Sequence, residues 1–147
     1  MNRNSYGWRT PDIRDYGSEP LIVNIDCFTK QNPYYRTALW TGKHLQVTLM
    51  SIPVHGDIGL EIHSDIDQFI RIEDGCALVM MGKNKTLLNY KQRVNSNYAV
   101  IIPAGTWHNI INIGNTPLKL YSIYAPPQHP FDTVHETKEA AEDAEKY

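Results

Sequence analysis

The stretch PAGTWHNIIN, Pro103 to Asn112, decides the fold. Pro103 cannot donate to a sheet ladder and halts a strand, while Gly105 permits a tight turn. His108 opens the next strand. Asn112 follows four residues on with the same parity, so the two side chains share one face. A turn of this kind can hold a histidine ring rigidly.

A second stretch, EIHSDIDQF (Glu61 to Phe69), supplies groups to set against that ring. Glu61 and His63 are two residues apart and point the same way in an extended chain, as do Gln68, Ile70 and Ile72. The SDID turn folds one strand back on the other, so Gln68 approaches His63. A buried carboxylate without a partner is costly, and a cation between Glu61, His63 and Gln68 removes that cost. The residues also allow a plainer account: His108 as a core histidine bonded to a carbonyl, Glu61 on an edge strand, Gln68 as a structural amide.

Outward from these stretches the pattern is β. HLQVTLMSI alternates apolar and polar residues, GDIG turns, and LEIH and DQFIRIE follow as strands. Asp74-Gly75 marks a hairpin, and CALVMMG continues as a strand to Lys83-Asn84. TLLNYKQRV is ambiguous; YAVII, HNIINI and LKLYSIYA are three further short strands, separated by PAGTW and GNTP. Arg71 and Glu73 have the opposite parity to Gln68 and are expected outside, paired or solvated. Many short strands between frequent turns argue for an all-β sandwich or barrel.

The flanks differ. Residues 1–20 read as an irregular arm, LIVNIDC (Leu21 to Cys27) as a strand, and Thr29 to Tyr35 as a turn or short helix ended by Asn32-Pro33. At the other end Thr133 and Glu136 fit a capping box opening an Ala/Glu/Lys-rich helix with a thin apolar stripe, expected exposed or frayed. The expected organisation is an arm over 1–40 with a strand available for exchange in a dimer, a barrel over 41–127, and a C-terminal loop and helix over 128–147.

The 147 residues fit one domain with a real core. With 20% charged residues, a net charge of -2 and no basic block, the footprint of a nucleic-acid binder is missing. The first residues resemble neither a signal nor a transit peptide, and no apolar run reaches spanning length, so a cytoplasmic location with no membrane partner is expected. Cys27 and Cys76 form no CxxC pair, and Cys76, in an apolar strand pattern, reads as a buried thiol.

Pro103, Gly105, His108 and Asn112 match the second motif of the cupin superfamily, G-x5-P-x-G-x2-H-x3-N, with Asn97 where the first glycine belongs. The end of the first motif is met by Gly75, seven residues after Gln68. The ligand pattern departs: where cupins usually carry H-x-H-x4-E, this chain has Glu61-x-His63-x4-Gln68. The tail YSIYAPPQHPFDTVHETK is similar to that of small bacterial cupins related to mannose-6-phosphate isomerase. The resemblance covers about Leu45 to Ala125. It implies a double-stranded β-helix (jelly roll), commonly a homodimer, with a divalent metal on Glu61, His63, Gln68 and His108.

Two imidazoles and one carboxylate suit zinc first, and also manganese, iron, nickel or cobalt, with positions left for water or a small-molecule substrate. With zinc the expectation is sugar or sugar-phosphate isomerisation, with His129 or a tyrosine such as Tyr124 moving the proton. With a redox metal it is dioxygenase chemistry, and without turnover a small-ligand binding module. His55 and His135 are further acid–base candidates. Trp107, Tyr98, Tyr121 and Tyr124 are candidates for the pocket wall, or for core and dimer contacts. Lys83 and Lys85 read as solvated charges. A basic group for phosphate is not apparent at the inward positions.

Overall fold

The computed structural model describes residues 11–145; the first ten residues of the expected arm and the last two of the tail lie outside them. After helix α1 (Ile25–Gln31) come β1 (Arg36–Thr41), β2 (Gln46–Ile52), β3 (Asp67–Asp74), β4 (Ala77–Gly82) and β5 (Tyr90–Val94). Then follow β6 (Ala99–Ile102), β7 (Trp107–Asn112), β8 (Leu118–Ala125), β9 (Val134–His135) and helix α2 (Lys138–Glu145). Six strands form one antiparallel sheet in the order β6-β3-β8-β2-β1-β9, and three form a second, β5-β4-β7. The fold is a double-stranded β-helix.

Side-chain alternation builds the core between the sheets. From the six-stranded sheet, Met50, Ile52, Ile70, Ile72, Leu118 and Leu120 meet Ala77, Val79, Val94 and Ile110 of the other. Register then sorts the interior into layers. Ile52 lies beside Leu118, and Met50 beside Leu120, which also neighbours Ile72. Further along the same strands, Thr48 and Ile70 flank Ser122, and Gln46 and Gln68 flank Tyr124. One end of the barrel is therefore packed with aliphatic side chains, whereas the other is buried but polar. Buried polar groups need partners, so the polar end is where a site is to be sought.

Three motif positions are explained by backbone shape. Gly75 and Gly105 have φ of 100° and 79°, and Asn97, standing where the motif has glycine, has φ of 76°. Asparagine tolerates this left-handed conformation better than most residues. Asn97 also accepts a hydrogen bond from Arg71 at 3.0 Å, and its backbone N–H donates to Ile72 at 2.9 Å. Asn97→Val is expected to lose roughly 1–2 kcal/mol relative to Asn97→Gly, read from urea midpoints. Equal midpoints would show that the turn relaxes instead. Asn112 is 2% exposed and fully used: it donates to the carbonyls of Ile52 and Thr116 and accepts from Gly114.

Several expectations need correction. Leu21 to Cys27 is not a strand; Asn24 caps α1 by accepting from the Cys27 N–H, and the apolar alternation gives way to that cap. A helix thus stands where an exchange strand was expected. Leu60 to His63 makes one isolated bridge, at Glu61, rather than a strand. Thr133 does not cap the last helix. Its hydroxyl donates to Pro130, Val134 and His135 pair with β1, and Thr137 accepts from the Ala140 N–H instead. Helix α2 is largely exposed, as its thin stripe implies, and is anchored by Ala141, 4% exposed, and by Lys138, which pairs with Asp57. Cys76 precedes β4 with outward parity and is exposed. Arg71 pairs with Glu73 at 2.6 Å, as expected, but Glu73 is not outside: it is 6% exposed, next to the register shift that ends β3. No helix among the described residues is long and apolar enough to cross a membrane.

Candidate metal centre

The centre begins with one backbone bridge. Glu61 and His108 exchange both N–H···O hydrogen bonds at 3.0 Å, which sets their side chains together although the residues are far apart in sequence. The Gly105 N–H donates to the His63 carbonyl at 2.8 Å, tying the PAGTW turn to the same segment. Glu61, His63 and His108 then each offer a ligand atom, all within 4.8 Å of one another.

Their satisfaction is incomplete. A Glu61 carboxylate oxygen lies 3.4 Å from His63 Nε2 and 3.3 Å from His108 Nε2, in ion-pair contact. Neither contact has hydrogen-bond geometry, and both Nε2 atoms are buried without a partner. His108 Nδ1 lies 2.9 Å from the Thr106 carbonyl and can only donate there, which turns Nε2 toward Glu61 as the atom a metal would take. Burial tends to raise the Glu61 carboxyl, but the two imidazoles outweigh it and hold the group down to about 2. Gln68 donates from Nε2 to Ser122 Oγ at 3.3 Å, and its Oε1 is buried with no partner. The Glu61 carboxylate and the two orphaned imidazole nitrogens fit a divalent cation.

The polar end continues past these groups. The His63 and Tyr124 rings meet edge-on at 5.9 Å, Tyr124 and His129 at 5.3 Å, and His129 and His135 at 6.2 Å. Tyr124 is 1% exposed, and burial pushes its phenol above the ordinary range. His129 is fixed by its backbone, whose N–H donates to Gln46 Oε1 and whose carbonyl accepts from Gln46 Nε2, both at 2.9 Å. Burial first, then Arg36 and His135, push its ring down to about 3, so it is neutral at pH 7. Its Nε2 is buried and unpaired.

The remaining candidates fall elsewhere. His55 sits exposed in a left-handed turn. Tyr98 is 43% exposed, Tyr121 packs on Phe69, and Lys85 lies over the Trp107 ring. A wider groove of about 550 Å³, bordered by Leu87, Tyr90 and Ile101, includes none of the convergent groups. Sequence reasoning missed Arg36 and Gln46. Arg36 is 4% exposed at the start of β1, with a guanidinium nitrogen 3.0 Å from His135 Nδ1. Its partner is 99 residues away, and only the β1–β9 pairing brings the two together.

A small double-stranded β-helix with a carboxylate–bis-imidazole cluster at its polar end is the class that this fold and site define. The chain belongs to the cupin family: the Cupin domain model matches residues 48–124. It is 62% identical to the Bacillus subtilis (strain 168) protein YrkC, across 97% of this chain and 77% of that protein. The crystal structure of the Bacillus halodurans protein BH2720 superposes with a TM-score of 0.89 at 60% identity, covering 89% of this chain and 99% of that one. KdgF from a Halomonas species shares the fold alone, with a TM-score of 0.56 at 16% identity over 63% of this chain and 80% of its own.

Proposed function

We propose that the protein is a divalent-metal cupin that acts, in the cytoplasm, on a small oxygenated molecule. Glu61, His63, Gln68 and His108 hold the metal, zinc in the first instance. The observation that carries this reading is the pair of buried, partnerless Nε2 atoms on His63 and His108 beside the charged Glu61 carboxylate, with the unpartnered Gln68 Oε1 at the same polar end of the barrel. When bound, the metal supplies a Lewis acid that polarises a carbonyl or hydroxyl oxygen.

The chain's own groups support an isomerase-like reaction, in which a proton is moved next to a polarised carbonyl. Tyr124 keeps its proton and can donate a hydrogen bond into the polar end. His129, neutral and unpaired at Nε2, can accept a proton there. The Gln46 clamp keeps His129 facing inward rather than towards solvent. A ring held near about 3 is a weak base, and this favours keeping a second reading: dioxygenase chemistry, which needs no strong base and suits a two-histidine, one-carboxylate set.

The test is to load the purified protein separately with zinc, manganese, iron, nickel and cobalt and to measure bound metal. The best-loaded forms are then screened against small sugars, sugar phosphates and hydroxy acids. The expected result is about one equivalent of metal per chain and exchange of substrate carbon-bound hydrogen with solvent. Oxygen uptake with the iron form supports the dioxygenase. Saturable binding with neither makes the protein a ligand-binding cupin, and failure to retain any metal overturns the proposal.

A further inference from the structure

Arg36 is a buried cation without a counter-charge. It is 4% exposed, and no carboxylate among the described residues lies within ion-pair distance of it. One guanidinium nitrogen contacts His135 Nδ1, the plane lies 5.3 Å from the Tyr35 ring centroid, and Nε has no partner. Buried charges are ordinarily paired, because a guanidinium loses its hydration without return otherwise. Arg71 and Lys138, though 41% and 37% exposed, have the carboxylates of Glu73 and Asp57, so the more accessible cations are paired while the buried one is not.

What surrounds Arg36 indicates what is missing. It lines a cavity of about 220 Å³ together with Tyr35 and Glu61 on the barrel side and Lys138 and Ala141 on α2. Arg36 and Glu61 thus border the same cavity, and the two histidines of the cluster lie behind Glu61 rather than on its wall. Glu142 and Glu145, on the α2 wall, are exposed and beyond ion-pair distance of Arg36. His129, one ring from His135, adds a further unpaired nitrogen. The space is below the roughly 300–1,000 Å³ of drug-sized sites, so the ligand is small.

We propose that Arg36 binds the anionic group of the substrate, a carboxylate or a phosphate, in this cavity while another oxygen of the same molecule faces the Glu61–His63–His108 cluster. The second half of the statement rests on the metal reading above; the first does not. A guanidinium offers paired donors that match either oxyanion. The proposal supplies the basic group that the inward sequence positions did not show. It also has a consequence for His129, whose ring Arg36 helps to hold down. An anion beside Arg36 offsets that charge and makes His129 a better proton acceptor when substrate is bound.

The test uses glycolate, methyl phosphate and ethylene glycol, followed through the ring signals of His129 and His135 in metal-free and zinc-loaded protein. At least one anion is expected to bind saturably, and Arg36→Met to weaken it roughly ten- to hundred-fold, with metal content unchanged. Arg36→Lys restores part of the affinity. Preference for glycolate assigns a carboxylate, and preference for methyl phosphate a phosphate. The proposal is overturned if neither anion binds, or if Arg36→Met binds them as wild type does. Should Arg36→Met not fold, wild type still decides: ethylene glycol binding as tightly as the anions overturns it. Arg36-dependent anion binding by a protein that takes up no metal removes the metal reading alone. Metal uptake without anion binding removes this one alone.

Discussion

Glu61→Ala is expected to abolish metal retention, and His108→Ala to do the same. Losing an outer partner of a metal ligand already costs roughly 10–100-fold in affinity, and losing a ligand costs more. Glu61 is also the carboxylate of the cluster among the described residues, and therefore the charge that offsets a divalent cation beside two imidazoles. Glu61→Gln keeps the shape and removes the charge, so it should fall nearly as far as alanine. Glu73→Gln is the control: its carboxylate pairs with Arg71 on the other face of β3, and metal content should not change. Metal content after dialysis against a weak chelator, with circular dichroism for folding, checks all four. Retention of a full equivalent by both alanine variants would place the metal elsewhere and end the assignment.

Gln46→Leu should produce the largest loss of stability not involving the metal. Gln46 is fully buried, and its amide makes four hydrogen bonds: two donated, to Thr41 Oγ1 and the His129 carbonyl, and two accepted, from the Gln128 and His129 N–H groups. Leucine matches the volume but leaves those groups unpaired. Each buried unpaired group costs about 1–3 kcal/mol, and opening of the loop to water relieves part of this, so a net loss on the order of 3 kcal/mol is expected. The urea midpoint should fall with little change in slope. His129 gives a second readout. Burial is the first cause of its low value, so release of the loop should raise its titration midpoint from about 3 toward the ordinary histidine value. A midpoint shift below about 0.5 kcal/mol, the usual size for an inert surface change, would show that Gln46 is not a clamp.

Much of this was legible because it is local. Pro103, Gly105, His108 and Asn112 encode a turn and a strand parity within ten residues, and the structure has that turn and that parity. Gln68, Ile70 and Ile72 share the interior face as period two requires. Legibility ended where long-range pairing decides. Nothing near Arg36 in the chain indicates that His135 will reach it. The amide of Gln46 looks like an ordinary polar position in an alternating strand until the His129 loop is laid across it. At Leu21 to Cys27 alternation favoured a strand, and the competing signal was one side-chain oxygen, that of Asn24. At Thr133 a capping pattern was present but lost to strand pairing along β1. In both cases contacts made elsewhere in the local chain or sheet overrode the pattern.

The position of β8 bears on how the molecule is made. It is an inner strand, bonded to β2 on one side and β3 on the other, so it joins the halves of the larger sheet. Neither half can close until Ala125 has been synthesised. Before then a nascent chain carries β2 and β3 with hydrogen-bonding edges that have no neighbour, the condition under which strands find partners in other molecules. Folding is therefore late and dominated by distant pairings, which places it on the slow side for a domain of this size. Yield from the ribosome should depend more on chaperone supply than the stability of the finished barrel would suggest.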